Sequence, residues 1–327
     1  MIAVGVIGTG KHGRRYLDHL RADVPELRLA AIARRDPTAG AADARERGCT
    51  FHADWRALVD DPAVEAVVAV VPPALHPAIA AAVAAARKPL LIEKPLATSG
   101  EAAIGIVRTL RAAGVPCLMA HTLRWNGVVE ALRAALPSLG PLRAVYLNQR
   151  FEPSPLRWLD EPELSGGGIM LHTGVHSFDL VRFLTGREVA RVWCRTARAV
   201  TRRTEDNFAA LLELAGSDTL VAVNGSRATA GRSGLIDLAG AEGQLVGDHY
   251  LGFAYRVRGT ERTPLVLPAP VPTVREALRA FARLIRDGTP PLATVEDGAR
   301  AVLVAEACYR AAASGAAVAV PDLLAPG

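Results

Sequence analysis

Two histidines four residues apart, His172 and His176, follow three consecutive glycines in the segment Ser165-Gly166-Gly167-Gly168-Ile169-Met170-Leu171-His172-Thr173-Gly174-Val175-His176. On a helix that spacing stacks both imidazoles on one face. Imidazole is the side chain best suited to exchanging protons near neutral pH, and glycines let the backbone approach a ligand closely. The segment is therefore expected to form the floor of an active site. A His-x-x-x-His helix face also suits zinc, but the glutamate of the protease motif is missing and only Asp179 stands near as a third ligand, so no metal is expected. The plainer alternative is that His172 is a packed core residue and His176 works alone.

Three further groups carry chemistry. Gly8-Thr9-Gly10-Lys11-His12-Gly13 follows an apolar run at 2–7 and precedes a helical pattern at 14–20. Glycines at Gly8, Gly10 and Gly13 permit a tight turn, close approach of a pyrophosphate and helix packing, and the helix N-terminus favours the anion. About twenty residues on, where an acid would bind a ribose 2′-hydroxyl, stand Arg34 and Arg35. Arginine there holds a 2′-phosphate, which argues for NADP over NAD; the alternative is two solvated arginines, with Asp36 capping the next helix. Glu93-Lys94-Pro95 lies just past an apolar run at 90–92, at the carboxyl edge where open α/β sheets bind ligands. Lys94 there would bond a substrate hydroxyl and stabilise oxyanion charge, with Glu93 setting its position; an ordinary surface ion pair is the alternative.

The elements that must position these groups change character near residue 120. Before it, strand-like runs at 2–7, 29–33, 64–71, 90–92 and 116–119 alternate with helical patterns, the signature of a parallel sheet covered on both faces. After it come runs at 142–151, 189–198, 208–214, 220–226, 235–239 and 250–257, with helices expected at 128–136, 171–184, 274–287 and 295–313. The fold class is α/β: a Rossmann domain over 1–120 and an α+β domain over 121–327 with a mainly antiparallel or mixed sheet. Residues 152–165, rich in proline and acids, read as a loop.

Composition bounds the partners. The formal charge of +5 over 327 residues comes mostly from scattered arginines, which argues against a nucleic-acid surface. Cys49, Cys117, Cys194 and Cys308 lack paired spacing, which fits reduced thiols. The chain opens directly on a strand pattern without a signal-peptide leader, and its longest apolar run, 78–86, is too short for a bilayer. A cytoplasmic protein with no membrane association is expected.

Six ordered motifs resemble the Gfo/Idh/MocA family of sugar and inositol oxidoreductases: the glycine turn; Val71-Pro72-Pro73-Ala74-Leu75-His76; Lys88-Pro89; Glu93-Lys94-Pro95; Leu123-Arg124-Trp125-Asn126; and Gly166-Gly167-Gly168 through His176 and Asp179. The resemblance implies hydride transfer between a nicotinamide and a hydroxyl or carbonyl carbon of a sugar, deoxysugar or cyclitol, with Lys94 contacting substrate and His176 as acid or base. It implies that Val71, Pro72, Pro73 and His76 border the cofactor, together with Trp158, while Arg157 and Arg124 face the substrate. It also implies a homodimer or homotetramer through the outer face of the second sheet. The departure is His172, where the family commonly carries aspartate; a carboxylate would raise the pKa of His176, whereas a protonated imidazole would lower it. Two alternatives to a dehydrogenase remain: a redox-assisted glycosidase that retains its dinucleotide, and a silent dinucleotide-binding regulator.

Overall fold

A computed structural model describes residues 1–323 of the chain. Two compact units are formed: residues 1–97, 101–122 and 272–299 make the first, and 98–100, 123–271 and the described residues from Arg300 on make the second.

In the first unit, strands β1 (Ile2–Ile7), β2 (Leu27–Ala33), β3 (Thr50–His52), β4 (Ala66–Ala69), β5 (Leu90–Ile92) and β6 (Cys117–Met119) form one sheet in the order β3-β2-β1-β4-β5-β6. All its pairings are parallel. Helices α1 (Lys11–Ala22), α2 (Pro37–Arg47), α3 (Trp55–Asp60), α4 (His76–Ala85) and α5 (Gly100–Ala113) supply the crossovers. Strands covered on both faces need near-continuous apolar runs, and β4 and β5 are buried at every position. The strand order reverses between β1 and β4, the switch point where such sheets bind ligands beyond their carboxyl ends. Strand β3 lies outside the sequence-based expectation: three residues at a part-exposed edge carry no hydrophobic period.

A single boundary at 120/121 misplaces residues 272–299. The helix Thr273–Asp287 buries Val274, Ala277, Leu278 and Phe281, an i, i+3, i+4, i+7 stripe, and packs on α1. Its Arg279 donates to the Asp23 carbonyl at 3.1 Å. The segment therefore completes the first unit.

The second unit contains α6 (Gly127–Ala135), β7 (Leu142–Arg150), the one-turn α7 (Pro162–Ser165), α8 (Val175–Thr185), and strands β8 (Val189–Ala197), β9 (Asn207–Leu214), β10 (Leu220–Ser226), β11 (Ser233–Gly240), β12 (Gly243–Asp248), β13 (Phe253–Arg258) and β14 (Glu261–Pro264). After the helix Thr273–Asp287 (α9) come α10 (Val295–Ser314) and β15 (Val318–Ala319). Nine strands form a mixed sheet ordered β14-β13-β12-β11-β7-β10-β9-β8-β15, in which only β7 and β10 pair parallel. Burial alternates along β9 and β7, so one face is core. Val145, Leu147, Val223, Ile236 and Leu238 line it. Gln149 donates to Ser177 Oγ at 2.8 Å, tying β7 to α8.

Strand β12 was not expected, because Gly243 and Gly247 dilute its apolar alternation, and residues 250–252 turn before β13 instead of extending it. Among the described residues, no helix is long and apolar enough to cross a membrane.

Candidate active site

The glycine turn after β1 has the shape that a dinucleotide's phosphates require. Gly8 has φ +93°, and a Cβ there would meet the Val70 carbonyl oxygen at 2.2 Å. A Cβ on Gly13 would meet the Gly8 carbonyl oxygen at 2.0 Å, so α1 approaches β1 this closely only with glycine. Gly10, by contrast, faces open space, with nothing within 4 Å of its Cβ direction. It caps α1 without a side-chain acceptor, which leaves the first amides of the helix for an anion. The turn therefore fits a pyrophosphate.

Arg34 and Arg35 follow the last residue of β2, as the dinucleotide reading requires, but they differ in state. Arg34 donates from Nη1 to Asp43 Oδ2 at 2.9 Å, and the Thr9 hydroxyl donates to the same oxygen at 3.1 Å. Arg14 stands 3.6 Å from Asp43 Oδ1. Arg35 is exposed, and Asp36 caps α2 by accepting from the Ala39 amide at 3.0 Å.

Glu93 is the hub beside Lys94. Its Oε1 accepts from Tyr16 Oη at 2.5 Å and pairs with His12 Nε2 at 2.6 Å, while Oε2 accepts the Lys94 amide at 3.1 Å. Burial would push this carboxyl up; His12, Lys94 and Tyr16 outweigh it and hold it at about 2. Burial and Glu93 together raise the Tyr16 phenol well above its ordinary range, so it stays a donor. His12 is thus bound to Glu93 on one ring nitrogen, although half-exposed on the glycine turn. Both Thr9 and Glu93 are buried beneath the expected cofactor surface.

His76, expected at the cofactor's border, has no exposed surface. It is fully buried at the start of α4, with Nδ1 on the Leu96 carbonyl oxygen at 3.0 Å, and burial pushes it down to about 4. It is a neutral tie between α4 and the strand-end loop that carries Lys94. Pro73 is likewise buried, in a turn spanning Pro73–Leu75, while Val71 and Pro72 are partly exposed.

In the second unit the glycine run has a different use from the one its composition suggests. Gly168 donates to Glu205 Oε2 at 3.0 Å, Ile169 to the Glu205 carbonyl at 2.9 Å and Met170 to Glu205 Oε1 at 2.9 Å. A Cβ on Gly168 would lie 1.8 Å from that carbonyl oxygen, and one on Gly167 2.1 Å from Tyr309 Oη. At Gly167 and Gly168 the missing Cβ makes room for protein atoms. Because three successive amides are drawn to Glu205, the expected helix at 171–184 opens as a π turn over Met170–Gly174 before α8 begins. Such turns recur at functional sites. Tyr309 also donates to Glu205 Oε1, at 2.8 Å.

His172 sits in the π turn, buried, with the Trp158 ring packed edge-on at 5.2 Å between centroids. His176, on the first turn of α8, is partly exposed. Trp158 is therefore His172's neighbour, in a short turn whose Arg157 is exposed. Arg124 is buried and forked onto Asp179, Nε to Oδ2 at 2.9 Å and Nη2 to Oδ1 at 2.6 Å, with Phe183 beneath. That pair anchors α8 and takes Asp179 away from a ligand role beside the histidines. Asp43, Tyr16, Glu205 and Tyr309 were not singled out in the sequence, since each acts through contacts distant along the chain.

Two outcomes follow. Between pH 6.5 and about 4 the unfolded chain binds a proton at His76 that the folded chain refuses, so stability falls as pH falls, by on the order of 3 kcal/mol. A further loss belongs to Glu93 between 4.5 and about 2. Urea unfolding at stepped pH reads both slopes; His76→Asn should flatten the upper window and Glu93→Gln the lower. Gly168→Ala should cost about 1–3 kcal/mol by overpacking against the Glu205 backbone, read as a lowered urea midpoint; an unchanged midpoint contradicts the packing assigned to that glycine.

Comparison with known proteins agrees with this geometry. Residues 2–121 match the oxidoreductase family with an NAD-binding Rossmann fold, and residues 138–246 match the GFO/IDH/MocA C-terminal domain. The chain is 31% identical to inositol 2-dehydrogenase 1 of Saccharopolyspora erythraea over 349 residues, covering 98% of this chain and 96% of that protein. It is 29% identical over 198 residues to levoglucosan dehydrogenase of Pseudarthrobacter phenanthrenivorans, covering 56% and 51%. A levoglucosan dehydrogenase solved with NADH and L-sorbose shares the fold at TM-score 0.91 and 22% identity, over 99% of this chain and 100% of that one. The chain belongs to the Gfo/Idh/MocA family of oxidoreductases.

Proposed function

We propose that this oxidoreductase transfers a hydride between a nicotinamide dinucleotide and a carbinol carbon of a polyhydroxylated small molecule, a cyclitol or a sugar. The observation that carries the reading is the glycine turn: Gly8 and Gly13 are held by close packing while Gly10 is left open at the amino end of α1. When bound, the nicotinamide supplies the hydride chemistry. The protein's part is to bind, orient and move a proton. His176, partly exposed on α8, takes the substrate's hydroxyl proton in oxidation and returns it in reduction. Lys94, its backbone fixed through Glu93, orients the substrate and steadies charge on its oxygen. His172, held against Trp158, binds substrate or tunes His176.

The cofactor is NADP in preference to NAD. Support comes from the absence of an acid immediately after β2 and from exposed Arg35. Arg34 already bonds Asp43, so Arg35 carries the preference. Arg124 serves the site by anchoring α8 through Asp179, and Arg157 is the exposed candidate to meet substrate. Trp193, Leu211 and Leu220 stand exposed on the outer sheet face, which supports a homodimer or homotetramer through it.

The relatives named for inositol and levoglucosan make those two polyols the first substrates to test. His176→Ala should lower turnover by about 10²–10⁴-fold while dinucleotide affinity, read by calorimetry, is unchanged. Turnover at the natural rate in that variant would overturn the assignment.

A further inference from the structure

Asp43 stands on α2, and nothing in the glycine turn or the arginine pair announces it. It is buried, and three donors converge on its carboxylate: Arg34 Nη1 at 2.9 Å and Thr9 Oγ1 at 3.1 Å on Oδ2, and Arg14 Nη2 at 3.6 Å from Oδ1. Arg34 Nη1 also reaches Thr9 Oγ1 at 3.5 Å, so this nitrogen is aimed inward at the glycine turn. Arg34 occupies the strand end that reads the adenosine ribose in this type of sheet, the place where a 2′-phosphate would sit.

A carboxylate there acts twice against such a phosphate. It offsets part of the charge on the guanidinium that would receive the phosphate, and it sets a negative charge close to the phosphate's own. Because Asp43 is buried, solvent and salt screen little of either effect. Arginine's value at a 2′-phosphate lies in its planar donor fork, and one of the two terminal nitrogens of that fork is already given to a carboxylate.

We propose that Asp43 is a specificity-determining residue of the nucleotide site: by occupying Arg34 it holds down affinity for the 2′-phosphate, so that NAD and NADP are bound more nearly alike than the Arg34-Arg35 pair implies. The inference rests on the nicotinamide-dinucleotide reading given above. Asp43 acts through Arg34 and touches no reacting atom, so it is a positioning residue. Its effect is on the choice between two cofactors.

The test is calorimetric titration of the natural protein, Asp43→Asn, Arg34→Ala and the double variant with NAD, NADP, AMP and adenosine 2′,5′-bisphosphate. In Asp43→Asn the affinity ratio should shift about tenfold or more toward NADP, and the bisphosphate should gain on AMP alike. The double variant should lose that shift. Arg34→Ala with Asp43 intact should move the ratio by less than about threefold, because the arginine is already engaged. An Asp43→Asn protein that binds both dinucleotides with the natural ratio overturns the proposal, and so does an Arg34→Ala protein whose NADP affinity collapses selectively. Should Asp43→Asn fail to fold, losing both ligands together, the Arg34→Ala arm decides. Natural protein that binds neither dinucleotide overturns the cofactor reading itself, an outcome distinct from an unshifted ratio.

Discussion

Buried carboxylates that accept main-chain N–H groups hold both segments of the candidate site. In the first unit Glu93 takes the amide of Lys94 and, on its other oxygen, Tyr16 and His12 from the first turns of α1. In the second, Glu205 takes the amides of Gly168 and Met170 with its carboxylate and that of Ile169 with its carbonyl. A carboxylate satisfied by several donors is rigid and costly to disturb, because any displacement strands a buried charge. Lys94 and the histidine segment therefore inherit their positions from backbone contacts.

Glycine does opposite things in the two segments. At Gly10 the missing Cβ leaves open space beside the end of α1, where a phosphate would come. At Gly167 and Gly168 it admits Tyr309 and the Glu205 backbone, and the π turn bearing His172 is a consequence of that approach. His172, where the resemblance implies an aspartate, is buried and packed by Trp158. His176, the proposed proton relay, is the more exposed of the two rings.

What could be read from sequence was what is local. The run Ile2–Ile7, the glycine turn and the helix after it lie side by side, and each supports the others, so the nucleotide fold was legible from one stretch. The order of motifs then extended the reading to Lys94 and His176. Partners distant along the chain were not legible: Glu93 and His12 are 81 residues apart, and Gly168 and Glu205 are 37 apart. Arg34 shows the limit most clearly. Its type and place were visible, while the carboxylate that engages it comes from two turns into α2. His76 lies in a family motif yet is buried as a neutral tie, because motif membership does not say which way a ring faces. Strand β12 and the return of α9 to the first unit were hidden for the same reason: glycine-diluted alternation and long-range packing leave no local period.

In the proposed reaction this chain exchanges a hydride with a polyol and releases the reduced or oxidised nicotinamide. Its most direct measurement is the absorbance of the reduced nicotinamide band when purified protein and saturating NADP or NAD are mixed with myo-inositol, levoglucosan and related polyols. A continuous rise is expected for at least one polyol, with one reduced nicotinamide formed for each substrate oxidised. Release of sugar from a glycoside without net change in that band would contradict it, as would a flat trace for every polyol with dinucleotide bound.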